Sequence, residues 1–301
     1  MVKKQHITVC ICTYKRPEFL NRLLQKIEAQ QTNDLFDFSI VIVDNDKVQS
    51  AGKIVSTYAS HTKIKNSYYV EPEQNIALAR NKAIENAVGD FVAFIDDDEF
   101  PDNQWLLNLY NAIHHYPSDG ILGPVLPHFE QEPPRWVLKG RFFERPSHIT
   151  GHVLPWINTR TGNVLLKRTL FQPGQKWFDP LYGSGGEDRD FFRRMIEAGC
   201  VFVWSNEAPV YETVPPNRWD KKVIIKRALL RGKIAFNASE SKPLSVLHSC
   251  AAVVIYSLGL PIFFILGQHI FMKYLVKDCD HLGKVAAFLG FDLIKEKYVG
   301  I

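Results

Sequence analysis

Residues 91–99 read FVAFIDDDE, and this stretch decides the fold. Five apolar residues suited to a buried parallel strand run directly into Asp96, Asp97, Asp98 and Glu99. Four adjacent carboxylates repel one another, and a divalent cation relieves that repulsion. Magnesium or manganese held this way commonly bridges to substrate phosphates. A solvated acidic turn explains such a cluster equally well when it stands alone. Its place at the end of a buried strand, with other strand ends also polar, favours the chemical reading.

Outward from that point the same pattern recurs. Apolar runs at 7–12, 39–43 and 67–70 read as three further buried strands. Helical stripes lie between the runs. Phe19, Leu20, Leu23, Leu24 and Ile27 follow Pro17, which suits a first helical turn. Ile76, Ala79, Ala83 and Ala87 form a second stripe, with Gly89 expected as its C-cap, and Trp105, Leu106, Leu109 and Ile113 form a third. The alternation predicts an α/β fold: a mostly parallel sheet covered by helices on both faces. Ligands bind such sheets beyond the carboxyl ends of the strands. Thr13, Tyr14, Lys15 and Arg16 follow the first run, and Asp44 ends the second. A carboxylate at that place can accept hydrogen bonds from a base or ribose, although Asp-Asn-Asp is also a good turn.

Composition bounds the alternatives. With 46% hydrophobic and 23% charged residues the chain is an ordinary globular protein, and a net charge of +4 is too small to point to nucleic acid. Five cysteines without paired spacing fit a reducing compartment; Cys10 and Cys12 read as small buried residues on one strand face. The basic start and short, interrupted apolar stretch at 5–14 make a poor signal-peptide core, so the first domain is expected in the cytoplasm.

The second half carries three further features. Residues 128–158, rich in Pro, Arg and aromatic residues, read as a loop or flap over the site. Gly185-Gly186-Glu187-Asp188 opens a helix whose apolar face includes Phe191, Phe192 and Met195. Acidic residues there either cap the helix electrostatically or supply a general base for a hydroxyl; the second reading is favoured. Residues 218–233 carry seven cations, Arg218, Lys221, Lys222, Lys226, Arg227, Arg231 and Lys233, against Asp220 alone. A phosphate clamp and a patch attracted to anionic lipid fit that stretch equally.

Taken in order, ITVCICTYKRP (7–17), IVIVDND (40–46), NIALARNKAI (75–84), FVAFIDDDE with Trp105 following, TGNVLLKR (161–168) and GGEDRDFFRRM (185–195) resemble the family 2 glycosyltransferases across about residues 6–235. Within the family the chain looks most like bacterial exopolysaccharide glucosyltransferases of the succinoglycan type. The GGED run is also similar to the acceptor-side motif of animal β-1,4-galactosyltransferases. The resemblance implies a GT-A type nucleotide-binding sheet. It further implies an inverting transferase, with Mn2+ or Mg2+ as cofactor, that moves one sugar from a nucleotide diphosphate donor (UDP first) to a saccharide acceptor.

At matching positions it implies roles. Thr13, Tyr14 and Arg16 would lie near the base, Asp44 would bind uracil or ribose, and Arg80 would help fix the nucleotide. Asp96 and Asp98 would take the outer places of the Asp-x-Asp motif, Asp98 contacting the metal, with Asp97 between them on the donor side. Glu187 would contact acceptor hydroxyls and Asp188 would be the base. Arg218, Arg227 or Arg231 would close over the diphosphate. Many relatives place a metal-binding His where APVYETVP (208–215) has Tyr211 and Glu212, so either Glu212 replaces that ligand or the ligand is absent. Processive synthases carry Gln-x-x-Arg-Trp; here only Asn217-Arg218-Trp219 is present, which favours a non-processive enzyme.

The expected organisation is a nucleotide-sugar half at 1–127, an acceptor and catalytic-base half at 128–240, and a hydrophobic helical appendage at 241–301. Residues 243–272 contain no Asp, Glu, Lys or Arg, enough to cross a bilayer, but Pro261 splits the stretch and Lys273 flanks it. The apolar piece at 285–291 is too short to cross. A hairpin dipping into one leaflet is favoured over a full span or a homodimer interface. These readings place the protein peripherally or monotopically on the cytoplasmic face of a membrane, acting on a lipid-linked acceptor, with no nucleic acid partner. The competing class is a catalytically silent nucleotide-sugar or glycan-binding subunit of a polysaccharide assembly complex. A sugar nucleotidyltransferase is disfavoured because TYKRPEF (13–19) has no glycine.

Overall fold

The computed structural model describes residues 4–172, 174–175, 177–237 and 242–294. In chain order the elements are β1 (Gln5–Thr13), α1 (Pro17–Glu28), β2 (Phe36–Asp44), α2 (Gly52–His61), β3 (Asn66–Val70), α3 (Ile76–Asn86), β4 (Phe91–Ile95), β5 (Glu99–Pro101) and α4 (Trp105–His115). They continue with β6 (Gly120–Leu122), β7 (Val125–His128), α5 (Arg135–Gly140), β8 (Asn163–Lys167), α6 (Glu187–Glu197), β9 (Phe202–Trp204), β10 (Val210–Thr213), α7 (Lys221–Asn237), α8 (Lys242–Ile265) and α9 (Gln268–Phe288).

Seven strands form one sheet in the order β3-β2-β1-β4-β8-β6-β9. The β1, β2, β3 and β4 pairings are parallel, and β8 is inserted antiparallel between β4 and β6. Alternation along β1 explains the layers. Ile7, Val9 and Ile11 join the core beneath Leu20, Leu23, Leu24 and Ile27 of α1 and Trp105, Leu106 and Leu109 of α4. Cys10 faces the other way, into a core with Ala79 and Ala83 of α3 and Phe191 and Phe192 of α6, and Cys12 packs against it. All five cysteines are free thiols. Each fully buried Leu, Ile or Phe contributes about 1.5–3 kcal/mol. A smaller sheet, β5-β10-β7, sets Glu212 directly opposite Glu99.

The expected strands and helices are present, with local differences. α3 ends at Ala87 in extended backbone, so Gly89 is not its cap. Gly89 instead takes a φ of 89° in the turn into β4, where a β-carbon would meet the His6 carbonyl oxygen at 2.6 Å. The organisation also differs. Met1–Pro127 and Arg145–Thr213 form one unit; His128–Glu144 and Val214–Ile301 form the other. The insertion of β8 into the sheet ties 145–213 to the first unit, and the presumed flap divides at 144/145.

The expected boundary of the helical tail at 240/241 lies outside the described residues. In the second unit α7 and α9 approach closely: a β-carbon at Gly232 would strike the Asp280 backbone, and one at Gly283 the Leu229 backbone. Trp136, Val137, Ile224 and Met272 form that unit's own core. Pro261 lies inside a continuous α8, and the break comes at Gly267, where φ is 123°. Pro243–Ile265 is long and apolar enough to cross a membrane, and it is largely exposed.

Candidate active site

The acidic cluster follows β4 and turns at once into β5. The Glu99 amide donates to the Asp96 carbonyl, and Glu99 Oε2 accepts the Asp96 N–H at 3.1 Å. Arginines from three separate segments converge on these carboxylates. Arg16, at the start of α1, donates Nη1 to Asp97 Oδ1 and Asp98 Oδ2, each at 3.1 Å. Asp97 also accepts the Thr13 hydroxyl at 2.7 Å. Burial raises the Asp97 carboxyl, while Arg16 and Thr13 draw it back. Burial would lower Arg16, but Asp97 and Asp98 outweigh it and raise its pKa. Thr13 and Arg16 thus brace the cluster. Tyr14 stays half-buried beside them, with Lys15 Nζ 5.0 Å from its ring centre.

Arg80, buried on α3, joins Asp96 (3.3 Å) to Glu187 of α6. Asn75 sets its position by capping α3 through the Ala77 and Leu78 amides while donating to the Pro180 carbonyl ahead of α6. Arg145 makes the third connection, to Glu212 and, at 4.0 Å, to Glu99 Oε1. Burial lowers Arg145 and is outweighed by Glu212 and Glu99, so its pKa rises. Burial first, then Asp96, pushes the Glu99 carboxyl well above its ordinary range, with Arg145 opposing. Glu99 Oε1 is buried without a hydrogen bond.

Gly162, just before β8, explains that vacant oxygen. A β-carbon there would lie 2.7 Å from Glu99 Oε1 and 3.1 Å from Asp96 Oδ2, so the glycine keeps a gap between the two carboxylates. An orphaned buried oxygen and a gap that a methyl group would fill both suit a cation. Among the described residues no group of three or more His, Cys, Asp or Glu side chains can hold a metal ion unaided.

Other expected residues are placed differently. Asp44 is fully buried, and its oxygens accept from the Asp46 amide (3.0 Å), the Ala51 amide (2.8 Å) and the Tyr68 hydroxyl (2.9 Å). It builds the loop at the end of β2 and presents no open carboxylate to a nucleoside. Glu187 is likewise buried and turned to Arg80, so it does not face an acceptor here. Asp188 is half-exposed in the first turn of α6; Oδ1 accepts the Arg189 N–H at 2.7 Å, and among the described residues its other oxygen makes no hydrogen bond. Gly185 and Gly186, with φ of 130° and 99°, turn the chain into that helix. Arg218, Arg227 and Arg231 belong to the second unit, where Arg231 forms a two-bond pair with Asp280 at 3.1 and 3.2 Å. Arg145, Gly162 and Arg160 were not singled out by sequence. Arg145 lies in a stretch whose lack of periodicity hides every partner.

The family model described as Glycosyl transferase family 2 matches residues 8–174. The chain is 35% identical over 232 residues to Succinoglycan biosynthesis protein ExoM of Rhizobium meliloti, covering 76% of this chain and 73% of that protein. It is 23% identical over 206 residues to poly(ribitol-phosphate) beta-N-acetylglucosaminyltransferase TarS of Staphylococcus aureus, covering 68% of this chain and 35% of that one. The crystal structure of S. aureus TarS 1-349 in complex with UDP-GlcNAc superposes with a TM-score of 0.56 at 16% identity, covering 96% of this chain and 95% of that chain, which shows the shared GT-A fold. Motifs, sheet and family match agree: the chain belongs to glycosyl transferase family 2 and is a glycosyltransferase.

Proposed function

We propose that this enzyme transfers one sugar, with inversion, from a UDP-linked donor to a saccharide acceptor carried on a lipid, in the synthesis of a bacterial-type surface polysaccharide. The observation that carries the reading is the gap that Gly162 leaves between Asp96 and Glu99, in the same unit as the half-exposed Asp188. The UDP-GlcNAc held by the TarS structure supports the donor class. The succinoglycan relative supports the polysaccharide setting.

Asp96 and Glu99 would hold Mn2+ or Mg2+, with Asp98 and Glu212 as flanking carboxylates drawn off by Arg16 and Arg145. When bound, the cation would neutralise the diphosphate as it leaves. Asp188 accepts the acceptor hydroxyl's proton as that oxygen bonds to the anomeric carbon. The anomeric carbon–oxygen bond breaks on the opposite face, and its electron pair leaves with the nucleoside diphosphate. Asp44 and Tyr68 shape the nucleoside side by holding the loop after β2. The second unit attaches to the cytoplasmic face of a membrane through α8 and its turn into α9.

Isothermal titration of UDP-sugars, with and without manganese, tests the donor and metal together. An NMR assignment of the anomeric configuration in the product tests inversion. Protein that binds no nucleotide sugar under either condition, yet melts cooperatively, would sink the reading.

A further inference from the structure

The arginines of the site are not equivalent. Arg16, Arg80 and Arg145 each contact two carboxylates: Asp97 and Asp98, Asp96 and Glu187, Glu212 and Glu99. Any of them could reach a substrate anion only by giving up a partner. Arg160 is different. It is half-buried, and among the described residues it makes no ion pair and no hydrogen bond. A guanidinium withdrawn from water without a counter-ion is unfavourable unless a ligand supplies the charge.

Its place is fixed by its neighbours in the chain. Thr159 is buried, its hydroxyl bonded to the Trp156 carbonyl at 2.6 Å. Thr161 is buried with a hydroxyl that has no partner. Gly162 follows, against Asp96 and Glu99. Asn163 then anchors the start of β8: it pairs with Ile95 across the sheet, accepts from Trp105 Nε1 at 2.8 Å and donates to the Pro124 and Ala208 carbonyls. Arg160 therefore stands two residues from the presumed cation gap. The charges it senses are those of Arg145, Asp188, Arg189 and Glu99. Glu99 of the carboxylate cluster and Asp188, the proposed base, thus both act on it.

We propose that Arg160 is the site's receptor for a diphosphate, its planar fork matching two phosphate oxygens. The inference rests on the glycosyl-transfer reading, in which a diphosphate must lie between the anomeric carbon and the cation. Guanidinium pairs with phosphate bidentately, and in a partly desolvated site that pairing gains strength. Burial, then Arg145, lowers the Arg160 pKa and outweighs Asp188 and Glu99, which agrees with a cation that has no direct ion pair. The diphosphate has two sources: the nucleotide donor, or the diphosphate joining an acceptor to its lipid.

The test titrates the full-length protein with UDP, uridine and geranyl diphosphate. R160Q should bind uridine like wild type and UDP about tenfold to a hundredfold more weakly, the scale of a charge-assisted hydrogen bond. If UDP is unaffected and only geranyl diphosphate loses affinity, Arg160 still receives a diphosphate, but the acceptor's. R160M keeps the alkyl stem and carries the same expectation if R160Q does not fold. Wild type that binds none of the three ligands overturns the transferase reading and this inference together. Wild type that binds, with both variants retaining full affinity for UDP and geranyl diphosphate, overturns the role of Arg160 alone.

Discussion

A β-carbon on Gly162 would come within 2.7 Å of Glu99 Oε1, closer than real β-carbons approach an oxygen. Gly162→Ala should therefore fill the gap without touching the core of the sheet. Displacing the Glu99 carboxyl by such overpacking costs about 1–3 kcal/mol, which, if taken from cation binding, corresponds to roughly five- to 150-fold in affinity. Manganese-dependent UDP binding should weaken by that factor while uridine binding stays unchanged. Equal manganese response in variant and wild type, read by titration calorimetry, would remove the Asp96–Glu99 gap as the cation site.

Asp188→Asn should separate binding from chemistry. The residue lies on α6, whereas the braced cluster Thr13–Arg16–Asp97–Asp98 comes from β1, α1 and the end of β4. UDP affinity should hold, and turnover should fall by about 10² to 10⁴-fold, the usual worth of a general base. A steady-state assay in which the variant keeps nearly full kcat would return Asp188 to the role of a helix-terminal charge.

Glu99 makes stability pH-dependent, and the sign follows from burial. Its carboxyl is raised well above the ordinary value of 4.5. A folded-state value above the unfolded one stabilises the fold below the unfolded pKa, and that contribution is lost as pH rises through the folded value. Glu99→Gln abolishes the titration. In metal-free buffer the Tm of the variant minus that of wild type should grow as pH rises above 4.5 toward the raised folded-state value. Manganese should shrink the difference by favouring the ionised carboxylate. Parallel melting curves across that range would show that burial does not raise the Glu99 carboxyl.

The legible part of this protein was its periodicity. The run at 91–95 is a strand with those bounds, and Leu20, Leu23, Leu24 and Ile27 are buried as their spacing required. Local chemistry was legible too: an acidic cluster at a strand's end, and glycines opening α6. Partner choice was not. Asp44 and Glu187 look open in sequence, yet Tyr68 and Arg80 claim them from 24 and 107 residues away. The antiparallel β8 was hidden because a five-residue apolar strand carries no direction. Arg160 stands out only once its potential partners are seen to be elsewhere.

The hairpin of α8 and α9 yields the last prediction. Ser257 Oγ bonds to Asp278 Oδ2 at 3.0 Å, Phe263 stacks on Tyr274 at 3.9 Å, and Phe264 meets Phe271 edge-on at 5.5 Å, so the two helices run antiparallel to the turn at Gly267. Ten residues separate Ser257 from Gly267, about 15 Å of helix, half of a hydrocarbon core about 30 Å thick. Lys273 and Lys277 of α9 already lie on the tip side of Asp278, where their long stems reach back toward the headgroups. Beyond Ser257 and Asp278, α9 carries Asp280 and Lys284, and Asp280 is bonded to Arg231 of α7. A full span by α8 would draw those charges into lipid, at a cost of several kcal/mol each. Leu258, Ile262, Phe264 and Ile265 are exposed near the tip, as suits insertion into one leaflet. Removing everything after residue 240 would also strip α9 from α7, so point changes make the cleaner test. Ile262→Asp and Ile265→Asp together should abolish flotation with anionic liposomes while UDP binding and the melting transition stay intact. A soluble dimer in wild type that the same pair converts to monomers would make this tip a protein interface instead.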